Sequence, residues 1–214
     1  MASILKVDKI RGTGLDSDTI SFDGTGNITI PKNVTFSGTV SGDNNSIVKL
    51  LDVTISTSIA RYDIDSTYIN STYDEYLIFF VFKQVTDDRN MFMRVFVGGS
   101  LVTSTVYAYE VAASSSSTYT GNNSTTEFRL NNTAVGNDTG EAYTGRLHIQ
   151  NVNSTSFPFV YSGYGNSFSA GGNHLGQSIN GSLKPSNASD VVNGLSFHGG
   201  SNISSGTVKL YGIK

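Results

Sequence analysis

Apolar and polar side chains alternate in short runs along this chain, and the spacing of those runs predicts strands. The most apolar run, Glu75–Phe82, is rich in aromatic and β-branched residues and too short for a typical helix. As a strand it carries Tyr76, Ile78, Phe80 and Phe82 on one face and Leu77, Phe79 and Val81 on the other. Neither face suits water, so the second face calls for a cover, either a further layer of the chain or another subunit. Met91–Val97 repeats the pattern, with Met91, Met93, Val95 and Val97 opposite Phe92, Arg94 and Phe96. Two such strands in succession predict the centre of a sheet packed inside an oligomer. The alternative is a helix or long loop folded over them.

Further strands are expected at 48–56, 60–64, 102–112, 126–131, 143–152, 157–162, 175–183, 191–198 and 206–213. Clusters such as Thr86–Asn90, Gly136–Gly140 and Lys184–Asn187 supply the turns between them. Arg146–Gln150 and Val208–Ile213 alternate cleanly and are expected to be half-buried strands. With no amphipathic helix, the stretch after Ile47 reads as a β-sandwich or jelly roll.

Residues 11–46 differ. Ile20–Phe22, Ile28–Ile30 and Val34–Phe36 are three-residue runs with a polar centre, separated by Gly or Pro turns. So few apolar side chains cannot bury a core alone. Wound around two further copies, each turn would donate apolar residues to a shared axis. A flexible linker is the alternative. The expected fold is therefore all-β: a short N-terminal β-stalk or attachment arm (1–45) followed by a β-sandwich, jelly-roll-like head (46–214). The expected oligomer is a homotrimer, with Phe22, Ile30, Phe36, Phe79, Phe92 and Phe96 at its interface.

Composition narrows the partners. Charged residues make up 14% of the chain, against about 25% for typical soluble domains, and Gly, Ser, Thr and Asn fill the gap. The net charge of −3 offers no electrostatic case for nucleic acid. Without cysteine there is no disulfide framework and no thiolate chemistry. Met1–Lys9 lacks the apolar centre of a signal peptide, and no apolar run approaches the ~18 residues of a membrane helix, so cytoplasmic synthesis without export or membrane insertion is expected. From Asn153 to Gly206 the only charges are Lys184 and Asp190. Such a hydroxyl- and amide-rich surface suits neutral ligands such as glycans, and suits an extracellular coat equally well.

No catalytic motif completes. The Gly-x-Gly pairs at Gly12, Gly24 and Gly163 lack the third glycine and the helix of a dinucleotide loop. His148, His174 and His198 lack metal-ligand spacing, and His148 and His198 are expected to point outward. Asp16 and Asp18 begin like a calcium loop, but Ile20 and Ser21 stand where the next ligand and the glycine belong. A glycosidase needs two opposed carboxylates, and sequence alone places no pair across a cleft. Neither enzyme activity nor cofactor is expected. Recognition is expected in the charge-poor loops around 114–125 and 163–176, through Tyr119, Tyr164, Phe168 and His174.

Two places carry a family resemblance. Ile4–Ile10 followed by Ile20–Ile28 resembles the N-terminal regions of bacteriophage fibre proteins. The close, Asp190–Lys214, with Gly194–Phe197 and Ile203–Ile213, resembles the end of a β-sandwich domain of phage fibre and virion surface proteins. Tyr73 and Tyr76 at the entry to the apolar strand, and Gly145–Ile149, fit the same domain. The resemblance implies a trimeric virion structural protein without cofactor, and no binding residues of the family match here. A tail fibre or receptor-binding protein is the first expectation, with its N-terminal arm on other virion proteins and its head on a host-surface glycan. A capsid decoration or head-fibre protein is the second, and a glycan-binding or depolymerase domain the third.

Overall fold

The computed structural model describes residues 47–113 and 119–214, and the backbone of residues 9–10, 20–22 and 28–29. The chain divides into two compact units, Met1–Asp43 and Asn44–Lys214. In the first, β1 (Lys9–Ile10), β2 (Ile20–Phe22) and β3 (Ile28–Thr29) pair antiparallel in that order. Ile30, Phe36, Asp16 and Asp18 lie outside the described residues, and Phe22 is described through its backbone alone.

The second unit is an all-β sandwich. Its strands are β4 (Ile47–Ile55), β5 (Ile59–Ile64), β6 (Glu75–Gln84), β7 (Met91–Val97), β8 (Ser100–Leu101), β9 (Tyr107–Ala113), β10 (Tyr119–Thr125), β11 (Phe128–Arg129), β12 (Tyr143–Gln150), β13 (Val160–Phe168), β14 (His174–Leu183) and β15 (Val192–Ile213). The 22-residue β15 organises the rest. Its first part lies between β5 and β7, and its last part lies between β4 and β6. The register breaks between His198 and Ile203, where the strand passes from one layer to the other. The larger layer runs β4–β15–β6–β12–β13–β14–β9–β10, and the smaller runs β5–β15–β7 with β8 and β11 on the far edge of β7.

Gln84 clamps this corner. Its buried amide donates to the carbonyls of Arg89 and Asn90, both at 3.2 Å, and accepts from the Ser201 amide at 3.2 Å. Gly199 is required beside it, because a Cβ there would lie 2.0 Å from Gln84 Oε1.

Several expectations change. The stretches 191–198 and 206–213 are one strand, which changes layer at the register break between His198 and Ile203 and continues on the far side of it. Residues 119–125 and 163–168, expected as loops, are β10 and the second half of β13. Cross-strand pairing overrides their Gly, Ser and Asn content. The apolar runs β6 and β7 do not pair with each other; each pairs with a different part of β15.

The two layers bury their facing sides against each other. Tyr76, Ile78, Phe80 and Phe82 of β6 are all buried. Phe80 packs against Tyr143 of β12 at 5.7 Å and against Phe197 of β15 at 5.3 Å between ring centres. Phe128 meets Tyr107 at 4.7 Å and Tyr161 at 4.8 Å.

These buried hydroxyls make the fold sensitive to alkali. Burial pushes Tyr107 up to about 12, and raises Tyr143 and Tyr161 well above the ordinary tyrosine value. In an unfolded chain tyrosine ionises near pH ~10. Above that pH the unfolded state gains by releasing protons, and the folded state cannot follow. Stability is therefore complete below about pH 10 and is lost as the pH rises from there through about 12. Urea midpoints measured across this range should hold level to about pH 10 and then fall steeply. A level midpoint throughout would show that the three hydroxyls meet water.

Candidate functional site

The outer side of the larger layer is the open face of the molecule's described part. Registers across eight strands align Asp52, Lys209, Phe79, Arg146, Tyr164, Ser178, Ala112 and Tyr119 in one row. The adjoining row holds Lys49, Tyr211, Leu77, His148, Ser162, Asn180, Glu110 and Gly121. Period-2 geometry explains the composition: Leu147 and Ile149 fill the core, so Arg146 and His148 between them must face out.

Tyr164 stands at the centre of this face, 60% exposed. The Arg146 guanidinium lies over its ring, 5.6 Å from the centroid. On one side of Tyr164 is a trough of about 590 Å³, floored by Ala112, Gly176 and Ser178 and bordered by Asn166. On the other is a cleft of about 300 Å³ lined by Leu77, Arg146, His148, Ser162, Ser178 and Asn180. The trough exists because its floor consists of small side chains. Three strand spacings, about 14 Å, separate Tyr164 from Tyr119, which is 61% exposed on β10. The Tyr119 ring folds over Gly121. Its hydroxyl donates to the Glu110 carboxylate, and that bond holds the phenol above its ordinary pKa.

The charges on this face are largely matched. Glu75 accepts from the Gln150 amide at 2.7 Å and sits 2.5 Å from His148 Nε2. The Gln150 hydrogen bond, with help from His148, keeps Glu75 below the usual carboxylate range despite some burial. Asp52 lies 3.2 Å from Lys49 and 3.9 Å from Lys209. Lys83 donates to the Asp138 carbonyl at 3.0 Å. Arg146 has no carboxylate partner among the described residues.

Of the four residues expected to recognise a ligand, only Tyr164 lines these clefts. Tyr119, Phe168 and His174 share its face, on strands and not on loops. Phe168 and His174 pair edge to face at 5.5 Å and close the end of the β13–β14 hairpin. Arg146, Ser162, Ser178 and Asn180 were missed by sequence reasoning; the alternation around Leu147 and Ile149 was the available signal for Arg146. Of the expected interface residues, Phe79 is 41% exposed and touches the Tyr211 ring edge-on at 5.9 Å. Phe92 and Phe96 lie half-buried on the outer side of the smaller layer, where Phe92 stacks on His198 at 5.5 Å. The three therefore do not form one surface.

That side also holds Arg94, Glu127 and His198. Arg94 donates to Glu127 at 2.8 Å, and His198 Nε2 lies 3.3 Å from the same oxygen. Burial alone would raise the Glu127 pKa, but His198 and Arg94 outweigh it and hold it low. This cluster is paired internally and faces no cleft of the larger layer. Among the described residues no group of three or more His, Asp or Glu side chains gathers to hold a metal ion. No helix among them is long and apolar enough to cross a membrane.

Comparison with known protein families, with curated proteins and with solved structures finds no match.

Proposed function

We propose that this chain is a non-enzymatic attachment protein of the bacteriophage fibre type, and that its β-sandwich binds a host-surface glycan on the open face of the larger layer. The observation that carries the binding reading is Tyr164: an exposed ring on a paired strand, between a floor of small side chains and a hydroxyl- and amide-lined cleft. A sugar ring presents an apolar face for stacking and a rim of hydroxyls for hydrogen bonds. A rigid sheet that already positions both kinds of partner keeps the ordering cost of binding low. The virion setting rests on the resemblance of Ile4–Ile28 and Asp190–Lys214 to phage fibre proteins. The homotrimer rests on the outward strip of Phe79, Val81 and Tyr211, which lies outside the cleft and which nothing in the described chain covers fully.

The test uses purified full-length protein on a glycan array, with Tyr164→Ala and Tyr119→Ala as variants. Aromatic contact is worth ~1 kcal/mol, so Tyr164→Ala should weaken binding about five- to tenfold while the thermal midpoint stays in place. Tyr119→Ala, beyond the trough, should have the smaller effect. Binding unaffected by Tyr164→Ala would remove the face from recognition. Particles that adsorb normally without this protein but lose their contents would replace the attachment reading with capsid decoration.

A further inference from the structure

We infer that the glycan is an acidic one: a carboxylate-bearing sugar docks on Arg146, and a neutral sugar ring lies beside it in the trough across Tyr164. This deepens the glycan-binding reading and rests on it. Four features of this face lead there.

The first is charge. Lys49 and Lys209 share Asp52, Lys83 donates to a backbone carbonyl, Glu75 is taken up by His148 and Gln150, and Glu110 accepts from the Tyr119 hydroxyl. Among the residues that line the cleft, Arg146 is a cation with no carboxylate partner among the described residues. The second is shape. The guanidinium is held over the Tyr164 ring, 5.6 Å from its centre. A planar five-donor fork matches a planar carboxylate better than it matches hydroxyls.

The third is the rest of the lining. Ser162, Ser178 and Asn180 border the same cleft, and none of their side chains makes a hydrogen bond among the described residues. They remain available to a sugar's hydroxyls. The fourth is continuity. Tyr164 and Ser178 border both the cleft and the trough, so one ligand crossing Tyr164 occupies both. The trough carries no charged side chain, which assigns the acid to the Arg146 side.

The experiment measures binding of the full chain to matched probes. These are oligogalacturonate and sialyllactose, their carboxyl-reduced counterparts, and glycerol-phosphate oligomers. The acidic sugars should bind at least about tenfold more tightly than the reduced ones, and the difference should shrink as salt rises. Arg146→Gln should erase that preference, so that acidic and reduced sugars bind the variant equally, while the thermal midpoint stays in place. Arg146→Lys should restore only part of it, since lysine keeps the charge and loses the fork. Equal binding of acidic and reduced sugars, or a preference that survives Arg146→Gln, would overturn the acidic assignment and leave the glycan face standing. Preference for glycerol phosphate would overturn the carboxylate. Binding of no saccharide at all would remove both this inference and the reading beneath it.

Discussion

Gly206→Ala is expected to destabilise the β-sandwich by about 3 kcal/mol or more. Gly206 sits on β15 where that strand is paired on both edges, to Ile55 of β4 and to Phe82 of β6. A Cβ built there would lie 2.1 Å from the Val81 carbonyl oxygen. That oxygen belongs to the backbone of the neighbouring strand, so no rotamer change relieves the clash. The strands must part, close to a point where their register already shifts between Ile203 and Ser205. Domains of this kind are stable by only ~5–15 kcal/mol, so the loss is a large share of the total. Urea unfolding checks it, with Ser205→Ala as the neighbouring control, expected within about 0.5 kcal/mol of the parent. A Gly206→Ala midpoint equal to the parent's would mean that β6 and β15 are not registered in this way.

Phe197→Ala is expected to cost about 4 kcal/mol. Phe197 is fully buried on the first part of β15, and its ring crosses to the other layer to meet Phe80 at 5.3 Å and Phe82 at 5.6 Å. Truncation removes the transfer energy of the ring and leaves a cavity between two sheets that are tied to each other at the Gln84 corner and cannot close freely. Phe79→Ala makes the contrast. Phe79 has the same chemistry, but it points outward and is 41% exposed, so in an isolated chain its loss should cost about 1 kcal/mol. Thermal midpoints of both variants, measured over a range of protein concentrations, separate two situations. A small, concentration-independent effect of Phe79→Ala leaves that face open. An effect that approaches Phe197→Ala and grows on dilution means that a second copy covers it, as the trimer proposal requires.

Much of this architecture was legible along the chain. The alternation in Arg146–Gln150 and Val208–Ile213 placed Leu147, Ile149, Val208 and Leu210 inside, and all four are buried. The apolar runs at 75–82 and 91–97 are strands, and their Tyr76–Phe82 and Met91–Val95 faces form the core. Tyr164 was legible as an exposed aromatic in a charge-poor stretch.

Other features needed the tertiary structure. A period of two tells which side chains of one strand share a face, and is silent on which strand lies alongside. Tyr119–Thr125 has almost no apolar signature, and it is a strand only because β9 offers it an edge. The unity of β15 depended on a corner braced by Gln84, a residue more than a hundred positions away in sequence. The candidate site depended on the four registers that join β6, β12, β13, β14 and β9, which set Arg146 beside Tyr164 and Tyr164 beside Ser178. The sequence by itself determined the core strands, their inward faces and the hydroxyl- and amide-rich character of Asn153–Gly206, because those follow from local alternation and composition. Only the tertiary structure decided the two-layer division, the continuity of β15 and the grouping of Arg146, Tyr164, Ser178 and Asn180, because these follow from long-range backbone pairing, which leaves no local periodicity to read.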